Sequence, residues 1–343
     1  MKKMDCKERL QRVLTGEAVD RPPCICPGGM MNMITRDLME ITGTYLPEAH
    51  HDAAAMAELA KAVYEQGCFE NYGVPFCMTV EAEEMGAAVD FGSEVYEPHV
   101  VGYAIDSAEQ WRQLSPISLE AGRSRVVLDA ISALRREGDP GVPVIGNLTG
   151  PVSTAGSVLD PVTLYREMRK KPEAAHQLLG FVTDQLVRFA RAQIEAGADV
   201  IAVSDPSGTG EILGPELFEA YVVRYVNRLL DGIGDLNVRT IVHICGQMKQ
   251  VYGQADRVRS DALSFDSIVP MGEARANLRG RVLMGNVSTY ALELGSPDKI
   301  RRLAGGCVRN GSDILSPACG LGMKSPIANI QALRNSVEET GND

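Results

Sequence analysis

The chain lacks a long apolar run. Across its 343 residues, no uninterrupted apolar stretch reaches the roughly 18 residues that a membrane-spanning helix needs. The N-terminus carries charges at Lys2, Lys3 and Asp5, and no apolar core follows them, so the sequence predicts neither a membrane span nor a signal peptide. We therefore expect a cytoplasmic protein with no membrane partner.

An excess of positive charge and a regular cysteine framework are also missing. The formal net charge of −11 argues against a nucleic-acid partner, whose phosphates need a basic face. The eight cysteines show no regular spacing, so in a reducing compartment they are expected to be thiols rather than disulfides. The length would suit two average domains, but α/β barrels of this size form one, and we expect a single domain over residues 1–343.

From residue 121 onward, predicted helices alternate with short apolar strands. The longer helical patterns cover residues 123–137, 172–197 and 215–230. The apolar runs lie at 142–145, 199–205, 239–245, 262–266, 281–286 and 313–319. Strands that alternate with helices pair in parallel, and this many units predict a (β/α)8 TIM barrel of the α/β class.

The N-terminal part predicts further elements. Asp5 opens a capping box, and the helix that follows ends near Gly16, which gives an N-terminal helical extension over about residues 1–22. Residues 24–26 form a candidate first strand, whose two cysteines are interpreted as core thiols. A helix over residues 52–66 follows. The acidic run at residues 79–84 is typical of a solvated helix face.

Polar side chains gather where the predicted strands end. They are Asn147, Asp205, His243, Cys245, Asp266, Asn286 and Cys319. In a TIM barrel these ends converge on the C-terminal face, where active sites lie. Asp and Asn also form turns, so the recurrence is a stronger indication than any single residue. We predict the active site there, with Asp266 as a candidate catalytic residue and Asn147, Asp205, Asn286 and Glu81 as candidate substrate-binding residues.

Three of these side chains predict a metal site. His243 and Cys245 lie two residues apart, so on a strand their side chains share one face. Such a pair alone is more often core packing, but the run ending at Cys319 has the same strand-Cys-Gly pattern. One imidazole and two thiolates select zinc, and three protein ligands leave a fourth position for water or substrate.

Several stretches resemble the uroporphyrinogen decarboxylase superfamily, and within it the branch of zinc-dependent methylcobamide:coenzyme M methyltransferases. The residues that carry the likeness are 36–40, 46–50, 74–83, 243–246, 285–287 and 313–320. The resemblance implies that His243, Cys245 and Cys319 bind Zn²⁺ and that a methylcobamide is the co-substrate. The decarboxylases carry arginines for the porphyrinogen carboxylates, whereas residues 27–33 contain none, which disfavours that activity.

The resulting hypothesis is methyl transfer from a methylcobamide to a zinc-activated thiol such as coenzyme M. Lys324 is the candidate partner of the coenzyme M sulfonate. The alternatives are a first-step methyltransferase that demethylates a substrate onto cob(I)alamin, a uroporphyrinogen decarboxylase, and a non-catalytic barrel homologue. No Asp-x-His-x-x-Gly corrinoid signature occurs in the chain, so we expect a corrinoid carrier protein as the partner, together with a small-molecule methyl acceptor or donor.

Overall fold

The computed structural model describes residues 3–340, and its central element is a parallel sheet curved into a barrel. The strands are β1 Tyr72–Val74, β2 Ala88–Asp90, β3 His99–Gly102, β4 Val144–Thr149, β5 Val200–Ser204, β6 Arg239–Ile244, β7 Ala262–Phe265 and β8 Val282–Met284. Six of them form the sheet in the order β1, β4, β5, β6, β7, β8. Every neighbouring pair in this sheet is parallel.

Two short segments close the barrel between β8 and β1. Ile314 bridges Met284 at the end of β8, and Leu315 bridges Cys24. The Cys24 carbonyl in turn accepts a hydrogen bond from the Glu70 amide, just before β1, at 2.9 Å. The closed ring confirms the predicted (β/α)8 barrel, although the segments predicted as strands at 24–26 and 313–319 form single bridges rather than regular strands.

Helices surround the barrel. They are α1 Cys6–Leu14, α2 Arg36–Thr42, α3 Ala53–Glu65, α4 Val80–Glu84, α5 Gly122–Glu137, α6 Pro151–Val158, α7 Pro161–Lys170, α8 Pro172–Ala196, α9 Gly210–Leu217, α10 Arg224–Asp231, α11 Tyr252–Ala255, α12 Met271–Asn277, α13 Thr289–Leu294, α14 Pro297–Arg309 and α15 Ile327–Thr340. Short 3₁₀ turns lie at Glu48–His50, Ala108–Gln113 and Gly234–Leu236, and a π-helix at Phe218–Val223.

Burial explains the continuous apolar character of the central strands. Every residue of β4 and β5 is buried, because one side of each strand faces the barrel interior and the other faces the helices. The predicted helices at 123–137 and 172–197 are present as α5 and α8. Within residues 3–340, none of the helices combines the length and the apolar character that crossing a membrane requires.

The predicted helix at 215–230 is present, and a short helical turn that was not predicted precedes it. The segment α9 begins at Gly210, but Gly214 interrupts it with a φ of +68°, so the continuous helix starts at Pro215 and runs on through the π-helix into α10. The break is expected there, since proline has no N–H to donate within a helix and a positive φ suits glycine. The preceding turn places Glu211 only a few residues after β5.

The N-terminal helix packs against the barrel end opposite to the predicted site. Asp5 caps α1 by accepting a hydrogen bond from the Glu8 amide at 2.7 Å, as the capping box predicts. Arg9 is 1% exposed, and its guanidinium bonds to Asp20 at 2.7 Å and to Glu70 at 3.4 Å. This buried ion network ties the helical extension to the start of β1. Met1 and Lys2 lie outside the described residues.

A long insertion follows β1 and forms one wall of the barrel mouth. It contains α4 and the antiparallel pair β2–β3, whose connection carries Glu97. The prediction of a solvated acidic face at 79–84 is wrong for its central residue, because Glu81 is 2% exposed. Glu83 accepts a hydrogen bond from Arg123 at 2.5 Å, and Glu84 accepts one from the Ser124 amide at the start of α5 at 3.2 Å.

Candidate metal centre

Strand β6 carries two of the predicted metal ligands to the C-terminal end of the barrel. His243 pairs in register with Ser204 of β5 and with Ser264 of β7. Cys245 directly follows the last residue of β6. Because side chains alternate along a strand, His243 and Cys245 lie on the same side, as the spacing predicted.

The structure brings Cys319 to the same place. After the bridge between Pro317 and Val287, the chain turns over the barrel end, and the next residue but one is Cys319. The ligand atoms of His243, Cys245 and Cys319 all lie within 4.8 Å of one another. Among residues 3–340, this is the one group of three or more such side chains close enough to share a metal ion.

The imidazole of His243 is fixed in orientation. Its ring is 2% exposed, its Nδ1 lies 2.9 Å from Ser264 Oγ, and its Nε2 lies 3.2 Å from Cys245 Sγ. Nε2 therefore faces the two sulfur atoms and is the nitrogen that would bind a metal shared with them. With a metal on Nε2, Nδ1 would carry the hydrogen and donate it to the serine hydroxyl, which is the orienting contact that metal-binding histidines need.

The two thiols shift each other's pKa in opposite directions. Their mutual hydrogen bond raises the pKa of Cys245, with burial and the Asp266 carboxylate adding to the rise. The same hydrogen bond lowers the pKa of Cys319 against the opposing effect of burial, and His243 lowers it further. A half-buried sulfur pair of this kind, beside an oriented imidazole, is a soft donor set that fits zinc.

The glycine after each ligand cysteine lies against a carboxylate. Gly246 has a φ of +80°, and a Cβ there would lie 2.9 Å from Glu211 Oε1. A Cβ at Gly320 would lie 2.5 Å from the Met30 carbonyl and 3.7 Å from Glu97 Oε1. The repeated Cys-Gly pattern is therefore required by close approach, and it leaves an acidic side chain beside each cysteine.

Asn147 holds loops together. Its Nδ2 donates to the carbonyls of Pro27 at 2.7 Å, Val74 at 3.1 Å and Ile145 at 3.3 Å. The residue is 2% exposed, and Gly29 packs directly against its side chain. These contacts give Asn147 a structural reason to be at a strand end. Its substrate-binding role stays a prediction.

Asp205 caps a helix. Its Oδ1 accepts from the amide and the hydroxyl of Ser153, both at 2.7 Å, and its Oδ2 accepts from the Val152 amide at 3.1 Å. These donors form the first turn of α6, where a carboxylate is favoured by the helix dipole. The fully buried carboxylate therefore organises the loop after β4, and contact with a substrate is untested.

Asn286 and Asp266 belong to one loop network. Asn286 Nδ2 donates to the carbonyl of Asp266 at 2.9 Å and to that of Val269 at 2.8 Å. The Asp266 carboxylate accepts from the Ile268 amide at 3.1 Å, and it is close enough to Cys245 to raise the pKa of that thiol. Asp266 thus lies beside the candidate metal centre, and Asn286 positions its loop.

Glu81 and Lys324 have contrasting surroundings. Glu81 accepts from the Thr149 amide at 2.7 Å and from its hydroxyl at 2.9 Å, and burial raises the pKa of its carboxyl to about 7. Lys324 is exposed on the loop after Cys319, and its ammonium has no ion pair within the described chain. The structure thus gives the predicted sulfonate partner no fixed position.

A second cysteine with a lowered pKa was missed from the sequence. Cys77 is 4% exposed, and its Sγ accepts from Arg123 Nη1 at 3.3 Å and from Thr79 Oγ1 at 3.5 Å. Burial alone would raise the pKa of Cys77, but the Arg123 guanidinium and the His50 ring outweigh it and lower the pKa to about 5. Cys77 ends the segment after β1, a strand-end position that could have drawn attention to it.

Glu97 was missed as well. Its side chain is open to solvent at the mouth, although protein surrounds it on most sides. That burial, followed by the charges of Cys319 and Cys77, raises the pKa of its carboxyl to about 7. Nothing in its local sequence predicts this placement, because Glu97 reaches the metal ligands through the long insertion after β1.

Comparisons with known proteins agree over nearly the whole chain. A family model described as uroporphyrinogen decarboxylase (URO-D) matches residues 5–340. The methylcobamide:CoM methyltransferase MtbA of Methanosarcina acetivorans is 33% identical over 328 residues, which cover 95% of this chain and 96% of that protein. The methylcobamide:CoM methyltransferase MtaA of Methanosarcina barkeri is 31% identical over 336 residues, which cover 97% of this chain and 97% of that protein. A solved methyltransferase structure from Methanosarcina mazei aligns with a TM-score of 0.91 and 30% identity, covering 98% of this chain and 99% of that one.

Proposed function

The chain belongs to the uroporphyrinogen decarboxylase family. Within that family, we propose that it is a methyltransferase and that zinc is its metal. The proposed reaction moves a methyl group from a methylcobamide, held on a separate corrinoid protein, to a thiol such as coenzyme M. The observation that carries the proposal is the group of His243, Cys245 and Cys319, whose ligand atoms lie within 4.8 Å of one another at the C-terminal end of the barrel.

The donor set supports zinc. One imidazole nitrogen and two sulfurs are soft ligands, and three protein ligands are typical of catalytic rather than structural zinc. Zinc bound there would supply a Lewis acid that binds the acceptor sulfur and favours its thiolate form at neutral pH. The relatives named as methylcobamide:CoM methyltransferases support the same reaction type.

The chain's own residues orient and shield this site. Ser264 fixes the imidazole so that Nε2 points towards the sulfurs at 3.2 Å from Cys245. The His243 ring is buried, whereas Cys245 and Cys319 are only half-buried, so the side of the site that an acceptor can reach is the cysteine side. The loops around it then hold the acceptor near the mouth, where a methylcobamide can approach.

Exposed apolar side chains on the rim support docking of a corrinoid protein. Tyr96 is 72% exposed on the β2–β3 connection, Ile212 is 45% exposed in α9, and Ile268 is 50% exposed after β7. All three belong to segments that follow barrel strands, so they protrude at the end where the metal ligands lie. Exposed apolar side chains grouped around a functional site are typical of a docking surface.

The loop after the first barrel segment argues against decarboxylation of a porphyrinogen. Met31, Asn32 and Met33 are each 0% exposed, and Met30 is 9% exposed. A buried, uncharged segment offers no cations to a tetrapyrrole that carries several carboxylates. We also propose a cytoplasmic location, since all eight cysteines are free thiols.

The proposal is tested by zinc content and by demethylation of free methylcobalamin, followed by its visible spectrum, in the presence of thiols. We expect about one zinc per chain and conversion to cob(I)alamin with at least one thiol. Cys319→Ala should lose most of the zinc, and Cys307→Ala is the matched control, because Cys307 is a half-buried thiol on α14 that bonds to Asn286 at 3.7 Å. Full zinc occupancy in Cys319→Ala would overturn the ligand assignment.

A further inference from the structure

Cys77 belongs to a buried polar cluster that does not include the candidate metal ligands. Its Sγ accepts hydrogen bonds from Arg123 Nη1 at 3.3 Å and from Thr79 Oγ1 at 3.5 Å. Arg123 Nη2 also donates to Thr79 Oγ1 at 2.7 Å, and Arg123 Nε donates to Glu83 at 2.5 Å. These contacts hold the guanidinium in place, so the chain fixes a cation and a hydroxyl against one sulfur atom.

A buried imidazole completes the cluster. His50 is 1% exposed, and in the described part of the chain neither of its ring nitrogens has a hydrogen-bond partner. The ring nevertheless lies close enough to Cys77 to lower the pKa of that thiol. A buried donor or acceptor without a partner is costly and needs an explanation. The two nitrogens therefore indicate a position beside the sulfur for a small polar molecule.

The surroundings of Cys77 differ from those of the core cysteines. Cys24, Cys26 and Cys68 are each 0% exposed, and burial raises the pKa of all three thiols. Burial also raises the pKa of Cys77, but Arg123 and His50 outweigh it and lower the pKa to about 5. Cys77 is 4% exposed, so its sulfur is shielded without being sealed. Such a narrow opening admits a molecule of a few atoms and excludes larger reagents.

We propose that Cys77 is a modification site for hydrogen peroxide, with Arg123 and Thr79 as donors to the peroxide and His50 as its further polar contact. The thiolate sulfur attacks one peroxide oxygen, so a sulfur–oxygen bond forms and the oxygen–oxygen bond breaks. The departing hydroxide takes a proton from solvent and leaves as water. Cys77 is oxidised to a sulfenic acid, and the peroxide is reduced.

Each member of the cluster has a part in this step. The thiolate is the nucleophilic form of cysteine, and the fixed guanidinium stabilises the negative charge that develops on the departing oxygen. The imidazole of His50 accepts or donates a hydrogen bond to the bound peroxide. The step uses no metal and is independent of the proposed methyl transfer.

Timed exposure of the zinc-loaded protein to hydrogen peroxide tests the proposal. Catalase stops the reaction, the protein is unfolded with iodoacetamide and dimedone present, and mass spectrometry of its peptides measures the thiol and the sulfenic acid at each cysteine. At pH 7 we expect Cys77 to be oxidised first, at least about tenfold faster than Cys307. Cys307 is the matched control because it is more exposed than Cys77, whereas burial raises the pKa of its thiol.

Variants test whether the donors cause the reactivity. Arg123→Met should slow oxidation of Cys77 by at least about tenfold, and Thr79→Val by at least about threefold, because each removes a donor beside the sulfur. Arg123→Lys should recover part of the rate, since it keeps the charge but not the fork of donors. Arg125→Met is the control on the same helix, because the exposed Arg125 bonds to Asp129 at 3.0 Å, and it should not change the rate.

Melting temperatures establish that each variant is folded at the assay temperature, and Thr79→Val decides the test if Arg123→Met is not folded. Oxidation of Cys77 no faster than that of Cys307 would overturn the proposal. So would wild-type rates at Cys77 in the folded donor variants. Zinc release before Cys77 reacts, followed with a chromophoric chelator, would assign the peroxide to Cys245 and Cys319 and would equally reject the proposal.

Discussion

Replacing Ser264 by alanine should weaken zinc binding without removing a ligand. Ser264 Oγ lies 2.9 Å from His243 Nδ1, and both residues are buried, at 0% and 2% exposure. Water therefore cannot readily take the place of the hydroxyl. Without it, the imidazole loses the contact that keeps the proton on Nδ1, and the tautomer with the proton on Nε2 cannot bind a metal.

The expected size follows from what such orienting contacts contribute. Their removal costs about 10- to 100-fold in metal affinity, which is about 1.4 to 2.8 kcal/mol. The unpaired Nδ1 left in Ser264→Ala adds a cost of the same order, about 1 to 3 kcal/mol, to folding rather than to binding alone. Zinc affinity should therefore be measured by competition with a chromophoric chelator, and the thermal stability of the metal-free protein should be measured in parallel.

Ser260→Ala supplies the matched control. Ser260 is also a buried serine, 7% exposed, close to the start of β7, and its hydroxyl donates to the Ala262 carbonyl at 2.8 Å rather than to a metal ligand. Its zinc affinity should stay within about twofold of the wild type, a difference of under 0.5 kcal/mol. If Ser264→Ala binds zinc as tightly as Ser260→Ala does, the assignment of Nε2 as an oriented ligand atom is refuted.

Three further outcomes are expected. Binding of the true acceptor thiol at pH 7 should release close to one proton per site, because coordination removes it from sulfur; calorimetry in buffers of different ionisation enthalpy measures this, and zero release contradicts thiolate activation. The pKa of Cys77 is lowered to about 5 beside Arg123, so the stability that the Cys77–Arg123 contact contributes is lost as pH falls towards 5 and is complete only above the ordinary thiol pKa. The difference in melting temperature between wild type and Cys77→Ala should therefore grow from pH 5 to pH 9, and a constant difference would exclude a Cys77 thiolate. Lys249→Glu, on a mouth loop, should slow turnover with the corrinoid protein more than with free methylcobalamin, whereas Arg136→Glu, at the end of α5 and at the opposite face, should affect neither; equal losses with both methyl donors would exclude docking through that loop.

The barrel and the clustering of His243, Cys245 and Cys319 were predictable because both depend on short-range regularities. Alternating helices and apolar runs indicate parallel strands, and two residues of spacing place His243 and Cys245 on one face of β6. Cys319 was identifiable from the same strand-Cys-Gly pattern. The closure of the barrel was less regular than predicted, because the segments at 24–26 and 314–317 contribute only isolated bridges.

The remaining features depend on contacts between distant parts of the chain. Ser264 is an ordinary residue of an apolar strand, and its role appears only when β7 lies in register with β6. The pKa of Cys77 is lowered because Arg123 reaches its sulfur from the start of α5. Glu97 lies in the long insertion after β1, and Glu211 lies in a short helical turn that precedes the break at Gly214. Local patterns cannot encode these distances.

The exposures around the metal centre determine the side from which the reactants enter. His243 is sealed between β5 and β7 and held by Ser264, so no small molecule reaches the imidazole side. Cys245 and Cys319 remain half-exposed. In the proposed reaction, acceptor and methyl donor would therefore share the cysteine side. Since a methyl transfer needs its reacting atoms about 3 to 3.5 Å apart, the acceptor would have to lie between the two sulfurs and the corrinoid.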